Sequence, residues 1–219
     1  MNVMITGATG MVGEAVLLEC LQDASIEQVL VVTRKPTGRQ HPKLHEVLLA
    51  DFADPTPVER ELRGYDACFF CLGVSSVGMK EPEYTRLTYD LTLGFARTLA
   101  RLNPHMTFCY VSGAGTDSSE KGRQMWARVK GRTENELLRL PFRAAYMFRP
   151  GFLKATPGQQ NVLPMYKYIA WLYPVLRRFT PGWVSTLTEL GQAMINVTRR
   201  GYAKPVLEVK DIVQAAQAR

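Results

Sequence analysis

Gly7, Gly10 and Gly13 recur at intervals of three in NVMITGATGMVGEAVLLECL, between an apolar run and a helical pattern. Glycines so spaced suit the binding of phosphates. A side chain at Gly7 would obstruct a tight turn, and one at Gly10 would hold the backbone away from a pyrophosphate. Gly13 lets the helix lie close to the sheet. The first helical residues, Met11 and Val12, would turn free N–H groups and the positive dipole end toward the phosphates. Thr9 adds a hydroxyl donor. The strand before and the helix after agree with a nucleotide site rather than an ordinary turn.

The end of the second apolar run selects the nucleotide. NAD enzymes usually carry Asp or Glu there, bonding the ribose 2′-hydroxyl. This chain reads VLVVTRKPTGR, with Arg34 and Lys35 at the position and Arg39 nearby. A carboxylate would repel a 2′-phosphate, whereas a guanidinium pairs with it, so NADP(H) is expected over NAD(H). The competing reading is that these are solvated loop charges. Asp51 and Phe52 follow the third run, where side chains can approach an adenine; Asp51 could equally cap the next helix. Leu72 and Gly73 end the fourth, and Gly73 would let the backbone come close to the cofactor.

Positioning these groups requires strands that end at one edge. Apolar runs read as strands at Asn2–Thr6, Gln28–Thr33, Glu46–Ala50, Ala67–Leu72, Met106–Ser112 and Ala144–Phe148. Most are apolar throughout, as strands of a parallel sheet covered on both faces are. Helical patterns lie between them at Met11–Gln22, Pro57–Leu62, Glu83–Leu102 and Arg123–Leu140. The alternation predicts an α/β fold with a doubly wound parallel sheet of Rossmann type. After Arg149-Pro150-Gly151 the rhythm changes. Residues 151–164 read as a loop or lid, with helical patterns at Met165–Arg178 and Val184–Arg200 and a short tail at Val206–Ala216. We therefore expect a nucleotide-binding region at 1–155 and a small, mostly helical C-terminal lobe at 156–219, within one structural domain.

Order of motifs carries a resemblance. TGATGMVG at the start, LG after the fourth strand, VSGAG after the fifth, a helix carrying MWARVK and FRPG after the sixth occur in this order. The chain resembles the short-chain dehydrogenase/reductase superfamily, in its atypical or extended, epimerase/dehydratase-like or NmrA-like branch, over roughly residues 1–155. In active members a serine at the end of the fifth strand and a Tyr-xxx-Lys helix carry the chemistry. The resemblance places Ser112 at the serine, steadying the substrate oxygen, and Lys130 at the lysine, holding the nicotinamide ribose. Trp126 stands at the tyrosine position. An indole N–H donates a hydrogen bond but does not give up its proton near neutral pH. Thr88 falls where many members have asparagine. The resemblance thus implies either a divergent reductase with another proton source (Ser112, a water, or Tyr84, Tyr89 or Tyr166) or a non-catalytic NADP(H) sensor; a membrane-surface or protein-interaction module with a vestigial cofactor site is the alternative of a different class.

Composition bounds the rest. The chain has 219 residues, 46% hydrophobic and 21% charged, which suits one core serving the whole length. No uncharged apolar stretch approaches the ~20 residues of a membrane span, and no targeting segment is recognised at the start; a soluble, cytoplasmic protein is expected. Cys68 and Cys71 form a CxxC, but in the strand-like ACFFCLG thiols three apart diverge to opposite faces. They and Cys20 and Cys109 read as reduced core cysteines. His41 and His45 flank Pro42 and make no metal site. Residues 1–150 carry 18 Lys/Arg against 17 Asp/Glu, while 151–219 carry 9 against 3. No nucleic-acid motif accompanies this charge. In NVLPMYKYIAWLYPVLRRF, Tyr166, Tyr168, Trp171, Tyr173 and Phe179 lie among leucines before Arg177 and Arg178. The segment could line a pocket for an apolar small molecule, lie on a membrane surface, or pack against the main domain or another subunit.

Overall fold

The computed structural model describes residues 1–156, 158–161, 178 and 182–218. The pattern expected at Met165–Arg178 and the aromatic run beginning at Asn161 fall largely outside these residues. In chain order the elements are β1 (Asn2–Thr6), α1 (Met11–Gln22), β2 (Gln28–Thr33), β3 (Leu44–Leu48), β4 (Ala67–Phe70), α2 (Glu81–Thr85), α3 (Leu91–Leu102), β5 (Thr107–Val111) and α4 (Met125–Leu137). There follow β6 (Ala144–Arg149), β7 (Phe152–Lys154), β8 (Val184–Thr186), α5 (Leu187–Arg200), β9 (Val206–Glu208) and α6 (Val209–Gln217).

Seven strands form one parallel sheet in the order β3-β2-β1-β4-β5-β6-β9. A strand covered on both faces must be apolar at successive positions, and the packing shows why. Val3 and Ile5 of β1 face one core with Val29, Val31, Phe69 and Phe148, beneath α1, α5 and α6. Met4 faces the other with Leu30, Val32, Phe70 and Phe108, beneath α3 and α4. Burying each such side chain stabilises the fold by roughly 1.5–3 kcal/mol. The second core is the more aromatic: Phe70 lies 6.0 Å from Phe95 and 5.8 Å from Phe108, centroid to centroid. Cys68 belongs to this core while Cys71 packs against the other, so the two thiols diverge as the strand period requires.

Order reverses between β1 and β4, because the chain runs outward to β3 and then returns. Loops leaving the C-terminal ends of these two strands part there and open a crevice, the usual ligand position in such sheets. Among the described residues, no helix is long and apolar enough to cross a membrane.

Five local expectations need correction. The third strand is Leu44–Leu48 rather than Glu46–Ala50. The helix expected at Pro57–Leu62 is one tight turn, Thr56–Val58; its apolar positions, Val58 and Leu62, are too few to sustain a helical face. The pattern at Glu83–Leu102 begins earlier, at Glu81, because Pro82 is tolerated in a first turn. It passes through a wider π-type turn at Arg86–Asp90. The stretch Val184–Arg200 starts as strand, pairing β8 with β7, and becomes helix only at Leu187. Thr186 makes that change: its side chain accepts the Glu189 N–H, and the Glu189 carboxylate accepts the Thr186 N–H. In the same way Val206–Glu208 is the seventh strand and only Val209–Gln217 is helical.

Candidate functional site

The three glycines have three distinct environments. Gly7 has φ of +72°, and a β-carbon there would lie 2.7 Å from the Cys71 carbonyl oxygen. A β-carbon on Gly13 would lie 2.2 Å from the Gly7 carbonyl oxygen. These two are needed for the turn and for close helix packing. Gly10 is different. It caps α1 in extended conformation, its N–H donates to Gly7 O at 2.9 Å, and a β-carbon would meet only that oxygen at 3.4 Å. Gly10 and Thr9 are exposed, at the mouth of the crevice. The turn thus has the form of a cradle that side chains would fill.

Two clefts adjoin this turn and share Leu72. The first, of about 460 Å3, is lined by Gly7, Thr9, Thr33, Arg34, Lys35 and Phe52 among others. Arg34 and Lys35 are exposed along it, with the loop held by Thr33 Oγ1 donating to Lys35 O at 2.7 Å. Phe52 supplies a buried apolar wall, its ring tilted at 46° to that of Phe95 with centroids 5.4 Å apart. Asp51 is not in the wall: its carboxylate accepts the Ala53 N–H at 2.8 Å, closing a turn rather than capping a helix. Arg39 is also committed elsewhere, to the buried carboxylate of Glu14.

The second cleft, of about 340 Å3, is lined by Gly10, Met11, Val12, Leu72, Gly73, Ser112, Gly113 and Lys130, with Cys71, Pro150 and Gly151. A β-carbon on Gly73 or Gly113 would meet nothing within 4 Å, so the backbone is bare there. Lys130 Nζ donates to Ser112 O. Burial pulls the Lys130 pKa down to about 8, against the opposing pull of Glu134. Ser112 is buried, and its hydroxyl has two acceptors, the Glu134 carboxylate and Phe148 O at 3.1 Å. A hydroxyl has one proton, and both partners lie in the protein. Trp126 is absent from the wall; Gly115 lies under its ring edge, with a built β-carbon 3.5 Å away. Of the alternative phenols, Tyr84 is buried in the core and Tyr89 lies under the Arg132 guanidinium at 4.3 Å, so neither lines this cleft. Tyr166 lies outside the described residues. Thr88 is buried in the π-type turn.

Two groups escaped the reading of the sequence. Glu134, one helical turn beyond Lys130, is fully buried and receives Arg149 Nε at 3.1 and 3.2 Å as well as Arg149 Nη2. Arg149 continues to Glu208 at 3.1 Å, tying α4 and β6 to the start of α6. Glu14 was the other. Burial raises its pKa, but the Gln160 and Asn161 N–H groups, at 2.9 and 2.7 Å, together with Arg39 outweigh that and leave it lowered. A carboxylate in an otherwise apolar helix stripe was the available signal for Glu14. For Glu134 it was the four-residue spacing from Lys130.

The residues present suit a dinucleotide: a glycine cradle in the middle, cations and an apolar wall at one end, bare backbone and an ammonium at the other. The model for the NAD dependent epimerase/dehydratase family matches residues 3–119. The leucinostatins biosynthesis cluster protein T of Purpureocillium lilacinum is 30% identical over 146 residues, 64% of this chain and 52% of that protein. Protein FMP52-2, mitochondrial, of Scheffersomyces stipitis is 27% identical over 153 residues, 68% of this chain and 65% of that one. The matches thus span about half to two thirds of these relatives' own length. Among solved structures, MoeE5 in complex with UDP-glucose and NAD superposes with a TM-score of 0.67 at 15% identity, covering 99% of this chain and 81% of that one. That likeness is one of fold.

Proposed function

The chain belongs to the NAD dependent epimerase/dehydratase family, and from that premise we propose that it binds NADP(H) in preference to NAD(H) and acts as a divergent oxidoreductase on an apolar small molecule. The observation that carries the reading is the pair of clefts meeting at Leu72 on either side of the glycine turn. The adenosine half would lie in the first, against Phe52, with Arg34 and Lys35 facing a 2′-phosphate. MoeE5 is described with NAD; in this chain two cations line the end of the cleft where an NAD enzyme would carry a carboxylate. The nicotinamide half would lie in the second, its ribose held by Lys130. When bound, the cofactor would supply the hydride.

A second reading, a sensor that binds NADP(H) without turnover, is supported by Trp126 and by the engaged hydroxyl of Ser112. Titration of nucleotide-free protein with NADPH and NADH, followed by tryptophan fluorescence, tests the common part. Tighter NADPH binding is expected, with most of the difference lost in Arg34→Ala. Equal affinities would remove the preference. The cytoplasm is proposed as the compartment; the name of one relative assigns that protein to mitochondria, and fractionation of the tagged protein decides.

A further inference from the structure

Hydride transfer to a carbonyl needs a proton for the oxygen, and the residue that would be expected to give it is missing. Trp126 lies outside the cleft wall and carries no acidic proton near neutral pH. Ser112 has its proton engaged inside the protein. Among the described residues, the ionisable side chains lining the cleft are Lys130 and Cys71. Burial pushes the Cys71 thiol up to about 12, too weak an acid for the task.

We propose that Lys130 is the acid–base residue of the second cleft, exchanging its Nζ proton with a substrate oxygen where a phenol would otherwise act. The inference rests on the cofactor reading above and goes beyond ribose binding. Lys130 Nζ is anchored by Ser112 O, and an ammonium has three N–H groups, so donors remain for ribose and substrate. The charged groups around it are Glu134 on its own helix and Arg149 of β6 behind Glu134. Arg149 takes up the Glu134 charge, which leaves burial as the dominant influence on the ammonium. Its lowered pKa of about 8 is close to what general acid catalysis near neutral pH favours. A carbonyl in the cleft is reduced when its carbon takes a hydride from reduced nicotinamide and its oxygen takes the Lys130 proton. The C=O π bond is replaced by C–H and O–H bonds, the nicotinamide is left oxidised, and the neutral amine regains a proton from water.

Competitive acetylation with acetic anhydride across pH, read by peptide mass spectrometry on free and NADP+-bound protein, tests the titration without turnover. The expected midpoint for Lys130 is about 8, below the ordinary lysine value of 10.5; a midpoint at or above 10.5 overturns the proposal. Lys130→Arg keeps the positive charge but cannot release a proton in this range. At NADPH concentrations saturating for each protein, its oxidation of bound NADPH by 4-nitrobenzaldehyde or menadione should fall by about 100-fold or more. A variant as fast as wild type, or loss of rate in Tyr166→Phe instead, overturns the assignment. Wild type that binds NADPH but oxidises none of it overturns it in favour of the sensor. Failure to bind either nucleotide removes the cofactor reading itself, whatever the Lys130 midpoint.

Discussion

A methyl group at Gly13 would sit 2.2 Å from the Gly7 carbonyl oxygen, whereas one at Gly10 would approach it only to 3.4 Å. Gly13→Ala should therefore destabilise the protein by about 3 kcal/mol in urea unfolding, the size of a strained core insertion. Gly10→Ala should cost about 1 kcal/mol, as alanine is a poorer cap, yet weaken NADPH binding because the methyl stands on the cradle. Glu134 and Arg149 make the opposite case, since their value depends on both being present. Their side chains are 1% and 10% exposed. Glu134→Ala strands a buried guanidinium and should cost about 3–5 kcal/mol, read from the unfolding midpoint. Glu14 makes a pH prediction. Its folded pKa is lowered from 4.5, so its stabilisation is full above that value and fades as pH falls through the folded pKa. The stability difference between wild type and Glu14→Gln should be constant near neutrality and shrink in acid.

At the scale of elements, helices in this protein are placed by what their ends and bare faces touch. A β-carbon on Gly131 would lie 1.8 Å from Asp117 O, so α4 can lie against the loop after β5 only where it has no side chain. That contact brings Lys130, the preceding residue, to Ser112. Gly131→Ala should displace α4 and impair nucleotide binding together with stability, in contrast to a substitution confined to the cradle. The start of α5 depends on reciprocal bonds instead. Thr186→Ala should cost about 1 kcal/mol in urea unfolding and leave nucleotide affinity unchanged, because α5 packs on α1 beneath the sheet, away from the clefts.

For the whole molecule, the crevice lies where the strand order reverses, and a ligand there joins loops from both halves of the sheet. Binding should then stabilise the entire fold. At 100 times its dissociation constant NADPH would add about 2.7 kcal/mol, or roughly 5–10 °C in the thermal midpoint of a chain this size. Scanning calorimetry at matched NADPH and NADH concentrations should show the larger shift with NADPH.

Much of this architecture was legible locally. Apolar runs, helical periodicity and glycine spacing are properties of neighbouring residues; they placed β1, β2 and α1 at their observed limits and marked Gly7, Gly10, Gly13 and Arg34. Boundaries failed where strand and helix shared one apolar pattern, at Val184–Arg200, since only pairing with β7 separates them. Side-chain roles were decided by tertiary structure. Arg39 turned from the nucleotide to Glu14, 25 residues away, and the Glu14 carboxylate holds an amide 146 residues away. The Ser112 hydroxyl faces acceptors 22 and 36 residues distant. Sequence determined which chemical groups stand at the sheet edge. The direction each faces, and so its free proton, charge or lone pair, depends on distant partners that no local pattern encodes.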